Sequence, residues 1–108
     1  NLKWRQSAQA IDELQAKQRA ILAGAARLPR AGGRLVYATC SLLRAENEAV
    51  ADAFDQEQQG RFRRLDVAEL LEAARVPDAA NLTQDGCLRL WPHRHQTDGF
   101  FAAAWERI

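Results

Sequence analysis

One run of residues constrains this chain more than any other: Gly32-Gly33-Arg34-Leu35-Val36-Tyr37-Ala38-Thr39-Cys40-Ser41, continued by Leu42-Leu43-Arg44-Ala45-Glu46-Asn47-Glu48. Leu35 to Ala38 is short, continuous, partly β-branched and aromatic, and it is bounded by glycines on one side and polar residues on the other. That pattern predicts a central strand buried on both faces. It delivers Cys40 to the strand's carboxyl end, just before a second helix, which is where open α/β sheets keep their chemistry.

The flanking segments supply the partners such a strand needs. Ile11, Leu14, Ile21, Leu22, Ala25 and Leu28 keep mostly to three- and four-residue spacing among glutamines, lysine and arginine. This predicts an amphipathic helix from Ser7 to Leu28, with Ser7 as its cap and Pro29 and Gly32-Gly33 as its stop. Glu46 and Glu48 are expected in the first turn of the second helix, where carboxylates suit the positive end of the macrodipole. That helix should run to Gln58, turn Ala49, Val50, Ala53 and Phe54 to the core, and end at Gly60. Arg61 to Val67 alternates polar and apolar residues, as a strand exposed on one face does. Ala68 to Arg75 reads as a short helix closed by Val76-Pro77, and Cys87 to Trp91 as a strand broken by Pro92. After the Asp98-Gly99 turn, Phe100 to Trp105 makes a last strand. Helix, strand, helix, strand and two closing strands is the order of half a doubly wound α/β domain, not of a whole one.

Composition narrows the class without choosing a partner. With 108 residues, 47% of them hydrophobic, the chain can bury one modest core, so residues 1–108 read as a single unit. Fifteen basic against fourteen acidic residues give a formal charge of +1, which forces no nucleic-acid partner. Arg61, Arg63 and Arg64, or Arg89 and Arg94 with the neighbouring histidines, form local basic clusters that without a motif read as solvated faces. Two cysteines and no secretory leader predict free thiols and a cytoplasmic setting. No apolar stretch reaches the ~18–20 residues of a membrane helix. The first residue is Asn1, with no initiating methionine, and the chain reads as a segment of a longer protein.

The stretch from Gly32 to Glu48 resembles the Thr-Cys-Ser motif of the Nop/Sun (RsmB-like) family of RNA cytosine carbon-5 methyltransferases. Leu2-Lys3-Trp4-Arg5 is similar to the segment that follows the family's other cysteine motif. Leu90-Trp91-Pro92-His93 and Thr97-Asp98-Gly99-Phe100-Phe101 are similar to its closing block, while Gly60 to Gly86 carries little signal. The resemblance implies the C-terminal half of a Rossmann-like class I methyltransferase sheet, in which Phe100 to Trp105 is an antiparallel strand slotted between the two before it. It also implies a parent enzyme that methylates cytosine in RNA, with ribosomal RNA as the expected substrate, using S-adenosylmethionine.

The resemblance makes Cys40 the nucleophile. Carbon 5 of cytosine is too weak a nucleophile to take a methyl group unaided, and addition of a thiolate to carbon 6 activates it. The thiolate is the reacting form, so its pKa must fall below the model value of ~8.5, which the opening of the second helix would assist. Thr39 and Ser41 are expected to shape the turn through local hydrogen bonds. Lys3, Arg5 and Arg94 are candidates for RNA phosphate contacts, and Trp4, Trp91, Phe100, Phe101 and Trp105 are expected in the core. His93, His95, Cys40 and Cys87 are too scattered for structural zinc, so no metal is expected.

The family's cofactor elements are missing from the sequence. Gly32-Gly33 precedes a strand and so cannot be the glycine-rich loop that follows one; the family's Pro-Cys motif would lie upstream of Asn1. The isolated piece is expected to be inactive, to expose an unpaired strand edge and to self-associate. Two other readings remain at this point: a non-catalytic RNA-binding module in which Cys40 is packing, and a cysteine hydrolase with His93 or His95 as base.

Overall fold

A computed structural model describes residues 8–95 and 99–108. Ser7, the expected cap, lies outside the described residues, as do Lys3, Trp4 and Arg5. Helix α1 spans Ala8–Ala25, and strand β1 spans Arg34–Thr39. A 3-10 turn over Arg44–Glu46 precedes α2, Glu48–Glu57, and then β2, Phe62–Leu65. Helices α3, Val67–Ala73, and α4, Ala79–Leu82, lead to β3, Thr83–Gln84, and β4, Cys87–Leu90. A single turn, α5, Pro92–His95, precedes β5, Phe100–Arg107.

The last strand organises the sheet. β5 lies between β1 on one side and β2 and β4 on the other, and it runs antiparallel to all three. Leu35 opposes Trp105, Tyr37 opposes Ala103 and Thr39 opposes Phe101, while Arg64 opposes Trp105 and Arg89 opposes Phe101. Directly paired residues share a face, so these side chains all point the same way. On that face lies the core, where Leu22 of α1, Ala26 just beyond it, and Val50, Ala51 and Phe54 of α2 meet Phe62, Cys87, Phe101, Ala103 and Trp105. The ring of Phe54 sits 4.7 Å from Trp105 and 5.3 Å from Phe62. Trp105 and Phe101 are fully buried, as expected of the closing strand.

The turn into β1 is fixed by the same strand. Gly32 N–H donates to Arg107 C=O at 2.7 Å, and Arg107 N–H donates to Gly33 C=O at 2.8 Å. A Cβ on Gly33 would stand 2.9 Å from the Arg30 carbonyl oxygen, so this close approach requires glycine.

Three expectations are corrected. β1 is an edge strand among the described residues, pairing with β5 alone, and its residues alternate between exposed and half-buried. Val36 is 56% exposed because α1 and α2 cover only the opposite face. Inside α2 it is Ala51, with Val50 and Phe54, that is buried, and Ala49 and Ala53 lie at the margin. Glu46 belongs to the 3-10 turn and not to α2, because Asn47 interrupts the helix at φ −116°, ψ −91°. β4 ends at Leu90, before Pro92 as expected, and Pro92 then opens a helical turn, a position where its missing N–H costs nothing.

Candidate functional site

Cys40 is the first residue beyond β1, and it is exposed. It sits on a loop that α2 follows, not in the first turn of that helix. Both cysteines are free thiols, but their surroundings differ. Cys87 is buried, and burial pushes its thiol up, although Arg64 Nη1 at 3.3 Å pulls the other way. Of the two sulfurs, the exposed one is at the strand end.

Small polar residues shape the loop. Thr39 Oγ1 accepts the Ser41 N–H at 3.1 Å, and Ser41 Oγ accepts the Leu43 N–H at 3.0 Å. These are successive hydroxyl turns of the kind expected for Thr39 and Ser41. Asn47 is fully buried behind them, and its Nδ2 donates to Ser41 C=O at 2.8 Å while its Oδ1 accepts from the Thr39 hydroxyl. Further along, Tyr37 OH donates to Glu46 C=O at 2.6 Å and Gln15 Nε2 to Ala45 C=O at 2.9 Å. Burial, and then the charge of Glu46, push the Tyr37 hydroxyl up to about 12, so it remains a donor at neutral pH.

The closing block reaches the same loop. Arg89 Nη2 donates to Leu42 C=O at 3.3 Å and pairs with Glu48 Oε1 at 3.4 Å. The Arg89 side chain is only 1% exposed, with its guanidinium carbon 4.4 Å from the Trp91 ring centre and 5.5 Å from that of Phe101. Gly99 lies against the loop as well, since a Cβ there would be 2.6 Å from Leu42 Cδ2. Arg89 is thus no part of a solvated basic face. Its alternation with buried Cys87 on β4 was the available signal, and the usual preference of arginine for solvent hid it.

Two arginines of the other basic cluster are paired as well. Arg63 pairs with Glu106, and Arg64 pairs with Asp55 at 2.7 Å and Asp52 at 3.1 Å. Burial opposes the Arg64 charge, but Asp55 and its hydrogen bonds outweigh that and raise its pKa. Asp55 also accepts from Trp105 Nε1 at 2.6 Å. Glu48, Asp52 and Asp55 therefore present one acidic stripe of α2 to two arginines of the sheet.

Of the candidate RNA contacts, Lys3 and Arg5 lie outside the described residues, and Arg94 falls in α5 with its side chain outside the description. His95 has both ring nitrogens engaged: Nδ1 accepts the Trp91 N–H at 2.9 Å, so Nε2 carries the proton toward Asn81 C=O at 2.9 Å. It has no free nitrogen with which to serve Cys40 as a base, which removes one support of the hydrolase reading. His93 has its ring 6.3 Å from that of Trp91. Among the described residues, no three His, Cys, Asp or Glu side chains gather as a metal would require, and no helix is long and apolar enough to cross a membrane.

Known proteins resemble this chain in sequence and in fold. The family model described as 16S rRNA methyltransferase RsmB/F matches residues 1–106. The chain is 39% identical over 103 residues to the probable ribosomal RNA small subunit methyltransferase B of Synechocystis sp., covering 95% of this chain and 22% of that protein. It is 36% identical over 97 residues to the ribosomal RNA small subunit methyltransferase F of Escherichia coli (strain HS), covering 90% of this chain and 19% of that one. A crystal structure of a methyltransferase homolog protein from Pyrococcus horikoshii matches its fold with a TM-score of 0.72 at 24% identity, over 94% of this chain and 33% of that one. The chain spans about a fifth of the length of the curated relatives it matches. A match of this extent, on a sheet closed by an antiparallel strand and carrying Thr39-Cys40-Ser41 at its edge, places the chain in the 16S rRNA methyltransferase RsmB/F family.

Proposed function

We propose that the protein carrying this chain is a cytoplasmic enzyme that methylates carbon 5 of a cytosine in RNA, with ribosomal RNA as the substrate class, and that Cys40 is its nucleophile. Residues 1–108 would be the C-terminal portion of its catalytic domain. The observation that carries this reading is an exposed thiol at the end of a strand, on a loop held by buried polar side chains. Cys40 would add as thiolate to carbon 6 of the ring, forming a C–S bond and moving the electron pair to carbon 5. Carbon 5 is then nucleophilic enough to accept a methyl group, and loss of its proton re-forms the double bond and expels the thiolate. The target base must be splayed out of its RNA fold to reach the sulfur.

S-adenosylmethionine is the methyl donor that the family implies, but the described residues do not fit it. Gly32 and Gly33 precede β1, Gly86 joins β3 to β4 and Gly99 precedes β5. None of them forms a glycine loop between a strand and the helix after it, the arrangement that cradles such a cofactor. The donor would be held by residues other than these.

The test uses the full-length protein with S-adenosylmethionine and RNA containing 5-azacytidine, followed by mass spectrometry of the trapped peptide. The expected result is an adduct on Cys40 that the Cys40→Ala variant does not form. A Cys40→Ala protein that methylates RNA normally refutes the assignment. Normal RNA affinity without any adduct supports the non-catalytic alternative instead.

A further inference from the structure

Asn47 stands at the residue before α2, where an asparagine ordinarily accepts a hydrogen bond from the helix's first free N–H groups. It makes no such bond. Its carboxamide is fully buried and turned back to the residues on either side of Cys40: Nδ2 to Ser41 C=O at 2.8 Å, and Oδ1 to the Thr39 hydroxyl. The Ser41 carbonyl can only accept, so the amide nitrogen must face it and the amide oxygen must face Thr39, whose hydroxyl proton therefore goes to Oδ1. A side chain that could cap a helix is committed to the loop of the thiol.

We infer that Asn47 is a positioning residue for Cys40: by tying Thr39 and Ser41 to one buried amide, it fixes the direction in which the thiol leaves the end of β1. The inference rests on the reading of Cys40 as nucleophile. Only a group with an acceptor on one side and a donor on the other completes this bracket. Aspartate has the shape of asparagine but turns an oxygen toward the Ser41 carbonyl. When ionised it repels that carbonyl; when protonated it donates to it and restores the bracket.

That asymmetry gives a test that a merely structural residue would not pass. In the full-length protein, with RNA containing 5-azacytidine, adduct formation on Cys40 is timed at saturating RNA alongside RNA affinity for wild type, Asn47→Asp and Asn47→Ala. Both variants should form adduct more slowly by about ten-fold or more, since a small misplacement of a reacting atom has that cost, with RNA affinity unchanged. The ratio of the Asn47→Asp rate to the wild-type rate should rise as pH falls through the carboxyl range, and that of Asn47→Ala should not. Wild-type rates in both variants, a loss confined to RNA affinity, or an Asn47→Asp defect that ignores pH would overturn the inference. If the Asn47 variants do not fold, Thr39→Ser, which keeps the hydroxyl, should retain the rate that Thr39→Val loses; equal rates in those two overturn it as well. Absence of a Cys40 adduct in the wild type would refute the nucleophile itself, a distinct outcome.

Discussion

Replacing Arg89 by methionine removes the guanidinium from a site that is 1% exposed and leaves Glu48, 13% exposed, without its buried partner. Breaking one side of a buried ion pair costs about 3–5 kcal/mol, largely because the remaining charge is stranded. The Arg89 contacts, 3.3 Å to Leu42 C=O and 3.4 Å to Glu48, lie at the long end for charged hydrogen bonds, so direct attraction is the smaller share. Two of its nitrogens, Nε and Nη1, have no hydrogen-bond partner, and methionine would relieve that penalty. Glu48 also retains Arg44 at 3.7 Å, an exposed partner of little strength. The balance places Arg89→Met near the lower end, at about 3 kcal/mol of destabilisation.

If stranded charge is the main cost, Glu48→Gln in the same molecule should return about half of the loss or more. Hydrogen exchange of the β4 and β5 amides in the full-length protein measures both effects locally. A loss of about 3 kcal/mol lowers protection by roughly a hundred-fold, and the double variant should recover about one decade of it. Equal protection in single and double variants would refute the stranded-charge argument. A single variant within about 0.5 kcal/mol of wild type would refute the importance of Arg89 altogether.

Two further outcomes follow from the same loop. Gly99→Ala forces a side chain onto φ +95° and sets its Cβ 2.6 Å from Leu42 Cδ2, for a cost of about 2 kcal/mol; adding Leu42→Ala should recover the clash but not the backbone strain, and a melting temperature of Gly99→Ala equal to wild type would contradict this. Tyr37→Phe loses the 2.6 Å bond to Glu46 C=O, worth about 1 kcal/mol at neutral pH. The Tyr37 hydroxyl is raised from 10.0 to about 12 in the folded chain, so the folded state holds its proton longer than the unfolded one. Its contribution is complete below pH 10 and is lost as pH rises toward 12. Urea midpoints should therefore fall more steeply for wild type than for Tyr37→Phe across that interval, and parallel curves would contradict the assignment.

Local patterns revealed the elements whose causes are local. Alternation marked β2 and β4, helical spacing marked α1 and α2, and the Asp98-Gly99 signal preceded β5, whose antiparallel course matches the closing strand expected from the resemblance. Leu35-Val36-Tyr37-Ala38 records an apolar surface on both faces, but coverage depends on which neighbours pack there, and among the described residues β1 has one open face and one open edge, in line with the expected unpaired strand edge. The roles of Arg89 and Asn47 were hidden for a different reason. Each is a polar residue whose local preference, for solvent in one case and for a helix cap in the other, is overridden by partners distant in sequence or on the far side of a turn.

The two clamps on the Cys40 loop explain why blocks so far apart in sequence act on one place. Asn47 secures the near end, at Thr39 and Ser41, from beneath the sheet's edge. Arg89 and Gly99 secure Leu42 from the closing block, across the width of β5. Neither is sufficient alone, because each ordered loop residue costs about 1–2 kcal/mol of backbone entropy while one hydrogen bond returns about 1 kcal/mol net. Tyr37 and Gln15 hold the carbonyls of Glu46 and Ala45, so the chain from 39 to 47 is tied at intervals along its length. A thiol so presented can stay exposed without being free to wander. Loosening the far clamp at Leu42 should therefore slow Cys40 chemistry less than loosening the near one at Asn47, which brackets the cysteine itself.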